Sequence, residues 1–285
     1  MHMNSPTPFA LAAGTISGRD HVQTGRNNQD ALHIGARDGI SALVVCDGCG
    51  SGEHSEVGAW LGARWTVELL LQKSLNDVTV SATPEALLES VRLGLLRRIR
   101  GLARSVCGAR PAITTDALFT IVGALITPSL TLLFSLGDGL LVLNGETLRI
   151  GPFPGNEPPY VAYGLTHGAD RAPKFVLHHC VESSRVNSLL IGTDGVGDWC
   201  DIEATPLPGR TELAGPLSQF WEDERYFANA DAIRRKLALV NRPATLPDWN
   251  SRTVRRVPAL LRDDTTLIVA RRTPQGTERG SEVRP

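Results

Sequence analysis

The chain has 285 residues, of which 42% are hydrophobic, 21% charged and 5% aromatic, with 29 basic against 30 acidic side chains. That composition supports a deep core without disulfides or structural metal, and excludes collagen-like, disordered and membrane-spanning classes. The even charge gives no broad attraction to nucleic acid or an anionic membrane, although a local patch can sit inside a balanced total.

Five cysteines, at positions 46, 49, 107, 180 and 200, are odd in number and irregularly spaced. They read as free thiols in a reducing compartment. Because no basic segment precedes an apolar one near Met1, the cytoplasm is the expected location.

In chain order, residues 1–8 and 273–285 read as flexible tails around a single domain, 9–272. Phe9–Ser17, Ala31–Gly35 and Ile40–Cys46 are short apolar or alternating runs and predict three strands. Val57, Leu61, Trp65 and Leu69 predict the buried stripe of an amphipathic helix. Thr83 and Pro84 predict the cap and first position of a second helix, with Leu88, Val91, Leu95, Ile99 and Leu102 inward and Arg92, Arg97 and Arg100 on a solvated face. Ala117–Ile126, Leu130–Leu136 and Leu140–Asn144 predict a strand meander, and Phe175–Val181 and Ser188–Thr193 two more strands. Thr211–Trp221 and Ala230–Val240 predict helices, Arg242–Asn250 no regular structure, and Thr265–Arg271 a final strand. Hairpin connections with intervening helices imply antiparallel sheets covered by helices.

Four apolar runs end on an aspartate beside glycine or another polar residue: Cys46-Asp47-Gly48, Gly137-Asp138-Gly139, Thr193-Asp194-Gly195 and Arg262-Asp263-Asp264. One such aspartate is usually a turn residue. Four in one domain suggest carboxylates pointing into a shared cleft, where their repulsion calls for cations, and an oxygen-only set suits Mg²⁺ or Mn²⁺. Two such ions can activate a water against a phosphoester without a side-chain nucleophile.

Asn28-Gln29-Asp30, Val45-Cys46-Asp47-Gly48-Cys49-Gly50, Gly137-Asp138-Gly139, Thr193-Asp194-Gly195-Val196-Gly197-Asp198 and Asp263-Asp264-Thr265-Thr266 occur in the order of the motifs of PP2C-type (PPM) metal-dependent serine/threonine protein phosphatases. Thr114-Thr115 adds to them, and the short opening from Gly18-Arg19-Asp20-His21 resembles the compact bacterial branch. The resemblance implies an α+β, four-layer α/β/β/α sandwich with two central antiparallel sheets. It implies two divalent cations, Mn²⁺ or Mg²⁺, with Asp47 bridging both, the Gly48 carbonyl on one, Asp194 and Asp263 completing the other, and Asp30 acting through a coordinated water. Asp138 and Asp198 match a third, weaker metal position that shares Asp194. The implied activity is hydrolysis of phosphoserine or phosphothreonine in proteins by a metal-activated water, opposing a serine/threonine kinase. The expected partner is therefore a phosphorylated protein, with no nucleic acid, no membrane and a monomeric chain.

Two departures bear on the chemistry. Arg26, the candidate phosphate grip, stands one residue closer to Asp30 than the family's arginine, so a loop shift or His21 must serve. Cys49 stands where many relatives carry a histidine that protonates the leaving group, which leaves His54 or a metal-bound water as substitutes. A binding module using the cleft for sensing, or a phosphatase of small phosphoesters, are the alternative functions. The Cys46-x-x-Cys49 spacing also admits a zinc or redox reading with His178, His179, Cys180 and Cys200, although a structural zinc needs a second close ligand pair. Asp201–Asn250, between two metal-bearing motifs, is the expected specificity element.

Overall fold

Two antiparallel five-stranded sheets lie face to face in the computed structural model, which describes residues 8–76, 83–105, 113, 115–166 and 172–273. The expected tails, Cys107 and Thr114 of the Thr114-Thr115 pair fall outside the described residues, Pro8 and Thr273 excepted. One sheet has the order β1 (Phe9–Ile16), β12 (Thr265–Arg272), β9 (Ser188–Gly192), β6 (Gly139–Leu143), β7 (Glu146–Ile150). The other runs β2 (Asp30–Arg37), β3 (Ile40–Asp47), β4 (Ile121–Ile126), β5 (Leu130–Leu136), β8 (Val176–Glu182).

Three apolar layers hold this sandwich together. Leu43, Val45, Val122 and Leu133 of one sheet meet Leu141, Leu189, Ile191 and Ile268 of the other. The outer face of the β2–β8 sheet is covered by α2 (Ser55–Asn76) and α3 (Pro84–Ser105). The outer face of the β1–β7 sheet is covered by α4 (Asp194–Ile202) and α5 (Ala232–Val240), with Trp199, Phe220 and Tyr226 between them. A short helix α1 (Arg19–Thr24) precedes β2. The four-layer expectation holds because each sheet buries both faces and each long helix one.

The second helix lies as expected, with Thr83 Oγ1 accepting from Ala86 N at 3.3 Å and Leu88, Val91, Leu95 and Ile99 buried. Arg97 and Arg100 are exposed, but Arg92 is buried, held by both oxygens of Glu89 at 2.7 and 2.6 Å. On α2 the expected stripe is rotated. Ala59, Ala63 and Val67 are buried in the layer against the sheet, Gly58 and Gly62 press on Asp116 and Phe119 of the segment leading into β4, and Val57 is 48% exposed. Small side chains bring the helix axis closer to the sheet than a leucine stripe allows, so size rather than hydrophobicity selects the inward face.

The expected meander is broken at Gly137-Asp138-Gly139. β5 belongs to one sheet and β6 to the other, and the crossing places both glycines at φ of 101° and 142°, conformations an L side chain resists. Periodicity reads each strand but not the sheet it joins. In the region after Ile202, Thr211–Trp221 is mostly turn. Leu207 N donates to Glu212 O at 2.7 Å and Ala214 N to Thr205 O at 2.9 Å, leaving a single helical turn at Gln219–Glu222. Residues 242–250, expected to be irregular, enter a hairpin of β10 (Ala244–Asp248) and β11 (Thr253–Val257). Proline, asparagine and tryptophan obscured an alternation that a two-stranded ribbon tolerates. Among the described residues no helix is long and apolar enough to cross a membrane.

Candidate metal centre

All the motif aspartates reach one end of the sandwich, because the strands that carry them start or stop there. Asp47 ends β3 and pairs in register with Asp30, which opens β2. Asp138 sits in the crossing that leads into β6, Asp194 opens α4 directly after β9, and Asp263 lies just before β12. Gly195 makes this junction possible, since a Cβ there would lie 2.0 Å from the Asp264 carbonyl oxygen. The second half of the Asp194 motif, Asp198, follows one helical turn later on α4, on the same helix face.

A cleft of about 450 Å³ opens between these ends, lined by Asp47, Gly48, Asp138, Asp194 and Asp263 together with His21. Burial is the first cause of the upward shift in each motif aspartate below, and mutual repulsion adds to it. Burial, then Asp194, Asp30, Asp263 and Asp138, hold the Asp47 carboxyl well above the carboxylate range. Asp30 is raised well above it by burial and then by Asp264 and Asp194, despite a hydrogen bond from Thr193 Oγ1 at 2.8 Å. Asp194 is pushed up to about 7 by burial, Asp263 and Asp138. Asp138, Asp198 and Asp263 are also raised, each by burial first. Asp194 and Asp263 remain open to cleft water, so screening tempers their shifts.

Whether these residues suit divalent cations is decided by their unsatisfied oxygens. The Oδ1 atoms of Asp30 and Asp138 are buried without a hydrogen-bond partner, as is Oε1 of Gln29, which also lines the cleft. Among the described residues no lysine or arginine lines it. Crowded carboxyls, orphaned oxygens and an oxygen-only donor set fit Mg²⁺ or Mn²⁺.

Asp264, the neighbour of Asp263, has a different place. It is 2% exposed and accepts from Gly18 N at 2.7 Å, Gln29 N at 2.5 Å and His21 Nδ1 at 2.9 Å. His21, Asp263 and Asp264 have potential ligand atoms within 4.8 Å of one another. The oxygens of Asp264 are nevertheless committed to these three donors, so it clamps α1 and the start of β2 onto the last strand. The motif resemblance implies Asp263 as the ligand and gives its neighbour Asp264 no role. Asp264→Ala is expected to cost about 3 kcal/mol, since it leaves buried donors unpaired; urea unfolding measures it.

Arg26 lies at the rim rather than among the lining residues, with Nη1 donating to Gly50 O at 2.5 Å and Nη2 to Gly52 O at 3.3 Å. Its guanidinium thus braces the loop after Asp47. His54 is not among the lining residues, whereas Cys49, Tyr160 and Tyr163 are. Burial acts to raise the Cys49 thiol, but hydrogen bonds with Ser51, Tyr160 and the backbone of Ser51 and Gly52 bring it below the usual thiol value. Tyr160 and Tyr163 form an edge-on pair with centroids 5.3 Å apart on a wall that also includes Asn156 and Glu157. Nothing in their apolar and Pro/Gly-rich sequence context marked them as cleft residues. Residues 201–258 contribute none of the lining, so their expected part in specificity would have to act outside the cleft. Cys46 is buried on β3 while Cys180 and Cys200 are exposed, and among the described residues these thiols form no metal-holding group with His178 and His179.

The sequence matches the Protein phosphatase 2C family over residues 17–238. A bacterial serine phosphatase carrying a point substitution has a similar structure, with a TM-score of 0.50 and 17% identity over 92% of this chain and 97% of that one. A C. elegans sex-determining protein aligns with a TM-score of 0.52 and 14% identity over 93% of this chain and 65% of that one. At such identities these likenesses speak for the fold. No curated protein matches the sequence. With the family match spanning most of its length and its motif aspartates gathered at one end of a two-sheet sandwich, the chain belongs to the protein phosphatase 2C family.

Proposed function

We propose that this protein hydrolyses phosphoserine and phosphothreonine in proteins, with Asp47, the Gly48 carbonyl, Asp194 and Asp263 holding two divalent cations. The observation that carries this reading is a cleft whose aspartates are raised by burial and then by one another, with no lysine or arginine lining it among the described residues. When bound, Mn²⁺ or Mg²⁺ supplies the Lewis acidity that lowers the pKa of water toward neutrality and offsets phosphoryl charge. Asp30, tied to Thr193, acts through a water, and Asp138 and Asp198 join Asp194 in a weaker third position. Retention of the whole carboxylate set weighs against a sensing module without catalysis. In the cytoplasm such an enzyme would oppose a serine/threonine kinase.

For the substrate phosphate, His21 is placed better than Arg26. Its Nδ1 is bonded to the buried Asp264 carboxylate, which orients the ring and leaves Nε2 for the substrate. Arg26 must release two carbonyls before it can reach a phosphate. His21→Ala is expected to raise KM for a phosphothreonine peptide about tenfold, the loss of one hydrogen bond to a charged group, with a smaller change in kcat. Steady-state kinetics separates the two.

Phosphate release from a phosphothreonine peptide, measured with Mn²⁺ and with EDTA, tests the reading itself. Release that requires the cation supports it. Equal release in both conditions, or none on phosphopeptides beside turnover of small phosphoesters, would sink the proposed protein substrate or its metal.

A further inference from the structure

The β10–β11 hairpin carries an unbalanced local charge in a chain of formal net charge −1. Arg242, Arg252, Arg255 and Arg256 are exposed on or beside it, and none has a carboxylate partner among the ion pairs of the described residues. Its own acid, Asp248, is occupied with the turn, accepting from Asn250 N at 3.0 Å and Ser251 N at 3.3 Å. At the tip Trp249 is 84% exposed, and Val254 on the outer face is 62% exposed. Isolated apolar residues on a surface need no explanation, but a nearly bare tryptophan among unpaired arginines is the composition of a binding surface.

Register separates the two faces of the ribbon. Leu246 lies opposite Arg255 and Ala244 opposite Val257, and this face looks onto the turn that carries Leu207 and Arg210. The groove between them, of about 640 Å³, has Leu207, Leu246 and Val257 along it and an unpaired guanidinium, Arg210 or Arg255, on either wall. At the tip Ser251 Oγ and Thr253 Oγ1 are 2.6 Å apart, and Arg252 adopts a left-handed φ of 54°.

We infer that this hairpin and the facing turn dock an acidic, extended segment of the phosphoprotein whose phosphate the cleft removes, an assignment that rests on the phosphatase reading above. Guanidinium forks on both walls match carboxylates spaced along a strand, and the apolar floor takes an intervening side chain. A Pro-Ala-Leu-Leu-Arg connection joins Val257 to Asp263, so the docking arm and the cleft are parts of one continuous stretch of chain. The acidic cleft itself repels such a segment, and a separate basic site removes that obstacle to capture.

The test uses the full chain with Mg²⁺ and a fluorescein-labelled, unphosphorylated Asp/Glu-rich peptide followed by anisotropy. Binding is expected, unchanged in Asp47→Asn and weakened at least about fivefold when Arg210 and Arg255, the two groove walls, are both changed to glutamate, since each reversal turns an attractive pair into a repulsive one. Replacing the same two by lysine should retain binding within about threefold, which separates charge from misfolding, and thermal melts check both variants. The glutamate variant should keep wild-type turnover of p-nitrophenyl phosphate while losing kcat/KM on an acid-flanked phosphopeptide. Peptide binding indifferent to the glutamate changes would overturn the inference, as would binding of phosphatidylserine vesicles or duplex DNA through these arginines with none of the peptide. Peptide binding as expected with no phosphate release from any phosphopeptide would uphold the docking site and defeat the phosphatase reading instead.

Discussion

Asp47→Asn is expected to lower metal-dependent phosphate release by about a thousandfold, and at the same time to raise the melting temperature of the metal-free protein. Asp47 stands among Asp194, Asp30, Asp263 and Asp138, all of which raise its carboxyl. Losing a shared ligand removes several kcal/mol of transition-state charge stabilisation, and each 1.36 kcal/mol is a factor of ten. The same substitution removes one member of a repelling set and keeps its shape, which should stabilise the cation-free fold by about 1 kcal/mol. Kinetics with Mn²⁺ and calorimetry in EDTA measure the two effects on one preparation. A variant that loses activity and also melts lower without metal would show that Asp47 holds the fold rather than a cation.

The second large effect is in the pH dependence of stability without metal. Asp30, Asp47, Asp138 and Asp194 are all raised in the folded state, Asp194 to about 7, by burial first and by neighbouring carboxyls second. An unfolded aspartate titrates near pH 3.9. Between that value and the folded value the native protein binds more protons than the unfolded chain, so its stability falls as pH rises. Metal-free protein should therefore melt at a higher temperature near pH 5 than near pH 7.5. With screening by cleft water allowed for, a difference of about 2 kcal/mol, or roughly 5 °C, is expected. Saturating Mg²⁺ or Mn²⁺ should remove the difference by stabilising the ionised carboxylates. A melting temperature that rises with pH in EDTA, or one that cation leaves unchanged, would contradict a cleft of carboxyls in need of charge compensation.

Much of this molecule could be read before any tertiary structure. Strand periods placed β1, β5, β8 and β12 within a residue or two, because each alternates or runs apolar between turn formers. The Thr83-Pro84 start located α3. The run of aspartates at strand ends indicated both cleft and cation chemistry, since the need of clustered carboxylates for counter-charge is a property of residue type and holds wherever the chain folds.

Other features depended on who meets whom across the sandwich. Which sheet β6 joins was decided by two glycines at positive φ, and with it the position of Asp138. Which face of α2 turns inward was decided by the close approach of Asp116 and Phe119 to Gly58 and Gly62. That Asp264 is consumed by Gly18, Gln29 and His21 follows from donors distant in sequence, and no local pattern in Asp-Asp-Thr-Thr reports it. The Tyr160 wall and the bracing of the Gly50 loop by Arg26 are likewise long-range matters. Side-chain type and period are local and survive in the sequence, whereas direction, register and the identity of a hydrogen-bond partner exist only once the chain has closed on itself.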